Sequence, residues 1–466
     1  MLPLLVWQIA AIGSSPARPA AVDPPTNVLL LVADDIGVDM LASYGLGSDL
    51  PATPNLDRMA ELGVRFLHCW ANPVCSPTRA TLQTGRYAFR TGLGDVVGGI
   101  GSPIGLSPGE VTLAEALDLG GSGYGHALIG KWHLCVEALA DPCAPLESGY
   151  GHFEGIANNP SPGYYDWTKV VNGSEFGGVS TYATSDQVDS ALAWIATAPE
   201  PWLCVVNFSA PHSPYHAPPA GLHAQDLTGL DPTRERRPFY KAMVEALDTE
   251  IGRLLAGLGS AAPRTTTFFV GDNGTPQECT VAPFLPHHAK RTLYDGGVRV
   301  PLLAYGSLVS DPGTVSEALV NTTDLFATVL DVAGVDVPAT LPPGRRMDGV
   351  SFLPQVHAAP VAPRTVPGRR PARGLAAPLP AREWILAERF LTGNGCGPGQ
   401  AKRAIRNRRY KLHRYPNAEL FFDLELDPFE STNLLLGGLT QDQQTNYDSL
   451  ASILDGLLAT PDCLGS

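Results

Sequence analysis

The chain has 466 residues, of which 44% are hydrophobic and 17% are charged, and its formal net charge is −14. This length exceeds a single simple core, so we expect a large domain with a smaller appendage. The negative charge argues against nucleic acid as a partner, because nucleic-acid phosphates require a basic face. An anionic substrate is compatible with this charge only if it binds in a local basic pocket.

The N-terminal segment predicts a leader and not a membrane span. An apolar run at residues 2–12 is too short to cross a bilayer, and small residues that include Ala20 and Ala21 follow it. The basic residues that usually precede such a run are missing, so residues 1–22 are interpreted as a degraded or truncated signal segment. They indicate a periplasmic, secreted or lysosome-like location. The rest of the sequence has no segment typical of a transmembrane helix.

Residues 27–33 form a continuous apolar run that ends in Asp34 and Asp35, as expected for a strand buried on both faces. Later apolar runs end in polar residues in the same way: 126–130 before Lys131 and His133, 202–208 before His212, and 266–270 before Asp272 and Asn273. Helical patterns lie between them, at residues 112–119, 185–198 and 239–258. Alternating strands and helices predict an α/β fold with a mostly parallel central sheet flanked by helices. The polar clusters should then meet at one edge of that sheet.

The composition changes after residue 357. Residues 358–382 are rich in Pro, Ala and Arg and show almost no periodicity, which is typical of a linker or an insertion. Short strands followed by a final helix predict a small α+β subdomain, at residues 384–387, 404–406, 410–413, 420–424 and 441–458. We therefore divide the chain into a leader at 1–22, a main domain at 23–357, a linker at 358–382 and a C-terminal subdomain at 383–466.

The eight cysteines are too few for a disulfide scaffold, and none lies in a Cys-x-x-Cys pattern, which argues against thiolate metal sites. Cys135 and Cys143 could bridge a short loop in an oxidising compartment. If Cys75 has a separate role, an odd number remains, so at least one further thiol should stay unpaired.

The pairs Asp34-Asp35 and Asp272-Asn273 offer hard oxygen ligands without sulfur or imidazole. Such a set suits Ca²⁺ or Mg²⁺, and flexible carboxylates favour Ca²⁺. Each pair alone is also ordinary turn chemistry after a strand. Their common position after buried strands of one predicted sheet favours the metal-site interpretation.

Cys75 begins the string Cys75-Ser76-Pro77-Thr78-Arg79, which continues to Thr84-Gly85-Arg86. We expect Ser76 to cap a helix and Pro77 to occupy its first position, so that the first backbone N–H groups point toward residue 75. A helix N-terminus favours anions, which places residue 75 where sulfate or phosphate would bind. The alternative is a buried free cysteine before a helix.

Further basic groups accompany these motifs. Lys131 and His133 are two residues apart, and so on one side of an extended segment. His212 lies in the proline-stiffened turn Ala210-Pro211-His212-Ser213-Pro214, and Lys290 begins a Lys-x-x-x-x-Asp-Gly-Gly element. A lone lysine is usually a surface residue and a lone histidine is often a core group. Their coincidence with the other motifs favours a functional role.

Taken in chain order, these elements resemble the signature of the type I sulfatases. The resemblance covers residues 27–302 and extends through Tyr410-Lys411-Leu412 and the stretch 420–434. It implies an alkaline-phosphatase-like fold, a bound Ca²⁺ rather than Mg²⁺, and hydrolysis of a small-molecule aryl or carbohydrate sulfate ester, as in arylsulfatases. It also implies that a formylglycine-generating enzyme oxidises Cys75 to formylglycine. The chain departs from the pattern at Cys135, where Gly is usual, and in the insertion-like segment 358–382.

The resemblance assigns two sets of site residues. The catalytic set is Cys75, Arg79, Lys131, His133, His212 and Lys290, and the metal ligands are Asp34, Asp35, residue 75, Asp272 and Asn273. In the implied reaction the hydrated aldehyde attacks sulfur, and Ca²⁺ with Arg79 favours its alkoxide form. The two lysines neutralise the sulfuryl oxygens, and His212, with Lys290, protonates the leaving oxygen. His133 then takes the proton of the second hydroxyl, which expels sulfate and regenerates the aldehyde.

Two alternatives stay open. The same fold and nucleophile could hydrolyse phosphate or phosphonate esters, or an unconverted Cys75 would leave an inactive binder of sulfated glycans. Specificity should lie in loops, here residues 147–167 and 214–238. Their aromatic residues either stack on a sugar or aryl ring or pack beneath a loop, namely Tyr164, Tyr165 and Trp167.

Overall fold

A computed structural model describes residues 26–98, 105–136, 144–357, 382–391, 400–460 and 462. The predicted leader at 1–22, Cys143 and all but one residue of the predicted linker at 358–382 lie outside these ranges. Across the described ranges, no helix is both long and apolar enough to cross a membrane.

A ten-stranded sheet forms the centre of the described structure, in the order β10-β2-β9-β8-β1-β7-β3-β4-β5-β6. The strands are β1 Asn27–Ala33, β2 Val64–Trp70, β3 Gly125–Lys131, β4 His152–Ile156, β5 Trp167–Val171, β6 Ser174–Val179, β7 Trp202–Asn207, β8 Thr265–Gly271, β9 Arg299–Gly306 and β10 Thr314–Asn321. The five adjacent strands β8, β1, β7, β3 and β4 are all parallel to one another. The predicted mostly parallel central sheet is therefore confirmed, with β5 and β9 as the antiparallel strands.

Strand β1 lies between β7 and β8, and both of its faces are buried. Val28, Leu30 and Val32 pack into the hydrophobic cluster on one face of the sheet. The alternate residues of the same strand pack into the cluster on the other face, namely Leu29, Leu31 and Ala33. A strand buried on both faces cannot alternate apolar and polar residues, which is why its sequence is a continuous apolar run.

Helices cover both faces of the sheet. They are α1 Pro54–Leu62, α2 Cys75–Thr84, α3 Ala88–Thr91, α4 Leu113–Leu119, α5 Ala183–Ile195, α6 Arg236–Gly257, α7 Asp295–Val298, α8 Thr323–Val332, α9 Val337–Thr340, α10 Leu353–Val356 and α11 Gln441–Leu458. Short 3₁₀ segments occur at Val38–Met40, Ala42–Tyr44, Gly259–Arg264, Pro286–His288 and Leu434–Leu436. The apolar side chains of α4 and α8 pack on one face of the sheet, and those of α1, α5 and α6 pack on the other.

A second, antiparallel sheet of four strands lies near the C-terminus. Its strands, in sheet order, are β11 Ile385–Arg389, β12 Lys402–Arg406, β13 Tyr410–Tyr415 and β14 Ala418–Asp423. Helix α11 packs on this sheet through Leu450 and Leu454, in one cluster with Tyr87 and Phe89 from the region after α2. The predicted small α+β unit is therefore present, and it contacts the segment that follows the Cys75 helix.

The cysteines follow the prediction in part. Cys135 is disulfide-bonded, which requires an oxidising environment for folding. The free and buried thiols among the described residues are Cys69, Cys75, Cys204 and Cys279. The expectation of at least one unpaired thiol besides Cys75 is confirmed, whereas the pairing of Cys135 with Cys143 stays a prediction.

A buried ion network joins the two sheets. Lys411 of β13 has no solvent exposure, and its Nζ lies 2.9 Å from Asp295 Oδ1 and 2.7 Å from Glu430 Oε1. The Asp295 N–H also donates to Glu430 Oε2 at 2.5 Å, and Lys411 Nζ lies 4.5 Å from the centre of the Trp70 ring. Lys411 therefore pairs with two buried carboxylates and contacts a strand of the large sheet, and Arg406 Nη1 adds a second buried positive charge 3.8 Å from Asp295 Oδ2.

Replacement of Lys411 should be strongly destabilising. Lys411→Met keeps much of the side-chain volume but leaves Asp295 and Glu430 buried without their ammonium partner, so we expect a loss of about 3–5 kcal/mol in the free energy of unfolding. Urea unfolding followed by circular dichroism measures this loss. The matched control is Arg408→Met, because Arg408 is 68% exposed in its ion pair and should cost less than about 1 kcal/mol. Equal losses in the two variants would contradict this account of the network.

Candidate active site

Backbone hydrogen bonds bring the strand ends of the large sheet together. The N–H of Asp34 donates to Ala210 O at 3.1 Å, and the N–H of Asp272 donates to Ala33 O at 2.9 Å. Strand β3 is joined to the same place because Gly130 pairs with Asn207 of β7. The polar residues after β1, β3, β7 and β8 therefore meet at one edge, as the sequence predicts for parallel strands.

Helix α2 delivers Cys75 to this edge. The prediction that Ser76 caps the helix and Pro77 opens it is wrong, because the helix begins at Cys75 and has no side-chain cap. The Ser76 hydroxyl lies inside the buried first turn and accepts the Val97 N–H at 3.0 Å. The main expectation still holds, since residue 75 lies at the helix N-terminus, where backbone N–H groups lack intrahelical partners.

Three buried carboxylates face Cys75. Asp34 and Asp272 have no solvent exposure and Asp35 has 3%. Cys75 Sγ lies 3.4 Å from Asp34 Oδ1. Burial works against ionisation of Asp34, but Lys131 and the neighbouring Arg79 and Lys290 hold its pKa well below the usual range. Burial and the charge of Asp34 raise the pKa of Asp272.

Three cations neutralise these acids, of which Arg79 and Lys131 are buried and Lys290 is partly buried. Arg79 Nη2 lies 2.8 Å from Asp272 Oδ2 and 3.4 Å from Asp34 Oδ2. Lys131 pairs with Asp34, and Lys290 pairs with Asp35. Lys290 Nζ also lies 3.9 Å from Cys75 Sγ. Burial disfavours a charged lysine, yet Asp35 and the other acidic groups raise the pKa of Lys290 above its ordinary value, so this lysine is charged.

The two histidines differ in their contacts. His212 lies in the predicted turn, where its Nδ1–H donates to Ser213 O at 2.7 Å and its Nε2 lies 3.8 Å from Asp35 Oδ2. His133 is 7% exposed, and its Nδ1 is buried without a hydrogen-bond partner among the described residues. Burial lowers the pKa of both imidazoles, and Lys131 and Arg79 lower that of His133 further.

Three site residues adopt left-handed backbone conformations, with φ of 72° at Asp35, 56° at His133 and 77° at Arg291. Non-glycine residues rarely adopt such φ values, and those that do cluster at functional sites. The expectation that Lys131 and His133 share one side of an extended segment is therefore wrong, because the chain turns at His133. Both side chains nevertheless belong to the site.

A metal ion fits this group of residues. One ligand atom from each of Asp34, Asp35, Cys75 and His212 lies within 4.8 Å of all the others. Asn273 has no solvent exposure, and its Oδ1 accepts no hydrogen bond from the described residues. Its amide nitrogen donates to Asp35 Oδ1 at 2.8 Å, so Asn273 contacts this cluster directly. A buried oxygen without a donor beside buried carboxylates is the environment that a hard divalent cation requires.

The cluster opens into a cavity of about 470 Å³. Cys75, His133, His212 and Lys290 line its inner part. Asn159, from the first predicted specificity loop, also lines the cavity, together with residues for which the sequence predicts no role, namely Asp95, Arg291, Arg389 and Leu391. Arg291 is a variable position of the Lys290 element, and Asp95, Arg389 and Leu391 lie outside the motifs, so the sequence carries no signal for their position at the cavity.

Further residues missed from the sequence position the predicted ones. Asn207 Nδ2 donates to Lys131 O at 2.9 Å, beside the bond from Arg79 Nη1 to the same oxygen at 3.0 Å. Tyr240 donates its hydroxyl to Asp35 O at 2.7 Å. Asn207 lies on a buried strand and Tyr240 on a buried helix face. Only Asn207 has a sequence signal, because it is a polar residue at the end of an apolar run.

The aromatic residues of the first predicted specificity loop mostly pack beneath it. Tyr164 is buried, and its hydroxyl lies 2.6 Å from Ser209 O and 2.7 Å from His212 O, so it supports the His212 turn. Trp167 is also buried and donates Nε1–H to Thr181 O at 3.1 Å. Tyr165 is 42% exposed. The role of the two loops in specificity stays a prediction.

Comparison with known proteins agrees with this geometry. The Sulfatase family model matches residues 26–335. N-acetylgalactosamine-6-sulfatase of Sus scrofa is 30% identical to this chain over 92% of it and 84% of its own length. Arylsulfatase G of Mus musculus is 30% identical over 70% of this chain and 68% of its own length.

Among solved structures, Ps i-CgsB in complex with k-i-k-neocarrahexaose matches with a TM-score of 0.74 at 21% identity. The match covers 94% of this chain and 93% of that chain, and at this identity it supports the fold. The chain belongs to the sulfatase family and is a sulfuric ester hydrolase.

Proposed function

We propose that the protein releases sulfate from an aryl or carbohydrate sulfate ester, with Cys75 converted to formylglycine and a Ca²⁺ ion bound beside it. The observation that carries this proposal is the position of Cys75. It begins a buried helix, lies 3.4 Å from Asp34 Oδ1 and 3.9 Å from Lys290 Nζ, and opens into the cavity. The thiol occupies the position of the hydrated aldehyde in the mature enzyme.

Asp34, Asp35, Asp272, Asn273 and residue 75 are the proposed ligands of the ion. Their oxygen atoms suit Ca²⁺ better than Mg²⁺, because Ca²⁺ accepts carboxylate and amide oxygens in a variable geometry, whereas Mg²⁺ demands a near-ideal octahedron. When bound, Ca²⁺ supplies positive charge that favours ionisation of the nucleophile and attracts the sulfate ester.

The chain's own cations bind and orient the sulfate group. Lys131 is buried and Lys290 is partly buried, and each ammonium group pairs with one of the carboxylates. Charge stabilisation is stronger in such a water-poor site than in solution. Arg79 pairs with Asp272 and Asp34 and donates to the Lys131 carbonyl, so it also fixes the lysine backbone.

The histidines have separate proton-transfer roles in this proposal. The Nδ1–H of His212 is held by Ser213 O, which leaves Nε2 to carry the proton that the departing alcohol oxygen receives. Burial keeps the pKa of His212 low, and a bound sulfate ester adds negative charge that favours its protonated form. His133 has a depressed pKa and a free Nδ1, so it suits the base that removes a proton in the second step.

The same proposal covers maturation, location and domain layout. A formylglycine-generating enzyme would recognise Cys75, Pro77 and Arg79 before folding, because all three are buried in the folded chain. The disulfide at Cys135 supports a periplasmic, secreted or lysosome-like location. We also propose a catalytic domain at 23–357 and a C-terminal subdomain at 383–466, because the composition changes after residue 357 and a Pro-, Ala- and Arg-rich segment separates the two.

The function is tested with protein whose residue 75 has been analysed by peptide mass spectrometry. We expect formylglycine at residue 75, hydrolysis of an aryl sulfate, and no turnover in Cys75→Ala, because the alanine has no nucleophilic oxygen. The matching aryl phosphate and phosphonate esters are assayed in parallel. Faster turnover of either ester would overturn the proposal in favour of that alternative. Activity from an unmodified cysteine would overturn the nucleophile.

Loss of the Asn273 oxygen should weaken metal binding. Asn273→Ala removes the buried Oδ1 that lacks a donor, so we expect less than stoichiometric Ca²⁺ and a loss of activity of about 100-fold or more. Elemental analysis of the purified protein measures the metal directly. The matched control is Asp39→Asn. Asp39 is also buried, but it accepts a hydrogen bond from Thr275 Oγ1 at 2.7 Å and lies outside the cluster of Asp34, Asp35, Cys75 and His212. Full Ca²⁺ content in Asn273→Ala would exclude Asn273 as a ligand.

The two histidine variants should fail at different steps. His212→Ala should lose most activity with a poor leaving group and least with an activated nitrophenol, since the departing alcohol then needs less protonation. His133→Ala should release one burst of alcohol and then stop, with sulfate retained on the protein. Burst kinetics and intact-protein mass spectrometry separate these results. Loss of the burst in His133→Ala, with no retained sulfate, would mean that the two roles are wrongly assigned.

A further inference from the structure

Two arginines and an acid to which the sulfatase signature assigns no role form one wall of the cavity beside Cys75. Arg291 directly follows Lys290, and Arg389 is the last residue of β11 in the C-terminal sheet. Asp95 lies in the segment after α3, and all three residues line the same cavity as Cys75 and His212.

The backbone of Arg291 is fixed at both of its polar groups. Its N–H donates to Pro73 O at 2.9 Å, two residues before Cys75. Its carbonyl accepts from Arg389 Nη1 at 2.8 Å. These two bonds maintain the left-handed conformation of Arg291, with φ of 77°. A strained conformation that is held by specific contacts at a cavity wall is typical of a functional position.

The side chain of Arg291 is exposed to the cavity and makes no hydrogen bond or ion pair with any residue that the structure describes. Arg389 differs, because its Nε donates to Asp95 Oδ2 at 3.1 Å. Asp95, the acid that lines this cavity, therefore already has Arg389 as its cationic partner. Arg291 is left as a guanidinium available to a ligand, in a protein with a net charge of −14.

We propose that Arg291 binds a second anionic group of the substrate, while Arg389 and Asp95 position the Arg291 backbone. This inference rests on the proposed function, because it concerns what else the sulfate ester carries. A guanidinium recognises carboxylates and sulfates through paired hydrogen bonds. The substrate class is therefore a sulfated saccharide whose neighbouring position bears a carboxylate or a second sulfate.

The test uses matched disaccharides that differ in one group. The first is a monosulfated disaccharide with a uronic acid beside the sulfated sugar, and the second is the same molecule with its carboxyl group reduced to an alcohol. A third is the carboxyl-reduced disaccharide with a second sulfate, so that the two sources of negative charge are compared. The measured quantity is kcat/KM, and the ratio between charged and neutral substrates gives the discrimination.

We expect the native enzyme to prefer at least one charged substrate, and Arg291→Gln to lower that discrimination by about 10- to 100-fold, since a charge-assisted hydrogen bond is lost. Arg291→Lys should retain most of it, because the charge remains. Arg389→Gln should raise KM for the charged substrate more than it lowers kcat, as a positioning residue would. The matched control is Arg408→Gln, at an arginine that is 68% exposed and lies outside this cavity.

The outcomes separate this inference from the proposed function. Equal turnover of all three disaccharides by the native enzyme would overturn the inference and leave the sulfatase activity standing. An equal loss on charged and neutral substrates in Arg291→Gln would also overturn it, because Arg291 would then contact the scissile sulfate. Absence of turnover of any sulfate ester by protein with formylglycine at residue 75 would instead overturn the proposed function.

Discussion

The site depends on the mutual neutralisation of buried charges. Three carboxylates and three cations lie together with little or no solvent exposure, namely Asp34, Asp35 and Asp272 with Arg79, Lys131 and Lys290. Each charge alone would cost several kcal/mol to bury, and only close opposite charges offset that cost. The ends of β1, β3 and β8 and the start of α2 must therefore meet for the fold to be stable. The sheet order, with β1 between β7 and β8, satisfies this requirement.

This balance also couples the two ligands of the proposed reaction. Lys131 and Lys290 hold the same carboxylates that a divalent cation would need, at Asp34 and Asp35. A cation at those oxygens competes with both ammonium groups and leaves them without acidic partners. The excess positive charge then attracts an anion into the cavity. The bound metal should accordingly raise the affinity for the sulfate ester, and the bound ester should raise the affinity for the metal. Each ligand offsets the unbalanced charge that binding of the other creates.

The sequence predicts the catalytic cluster because each part has a local signal. An apolar run followed by Asp34 identifies a buried strand and its polar end, and parallel strands bring such ends to one edge. Tertiary contacts explain the failures. Ser76 does not cap α2 because Val97 uses its hydroxyl. The Arg389 side chain donates to the Arg291 carbonyl across 98 residues of sequence, and neither the hydrophobic period nor the motif spacing predicts such a contact.

The proposed chemistry and the proposed selection of substrate use different parts of the fold. The groups around Cys75 come from the strand ends of the large sheet, where buried ion pairs hold them and tolerate little change. The Arg291 wall is supported from the C-terminal sheet by Arg389, which is 27% exposed and pairs with Asp95 across 3.1 Å. Partly exposed ion pairs contribute little to the free energy of unfolding. Substitutions at Arg389 or Asp95 should therefore alter substrate recognition while the stability of the fold changes little. The C-terminal sheet can therefore change which sulfate ester the protein accepts while the buried cluster remains the same.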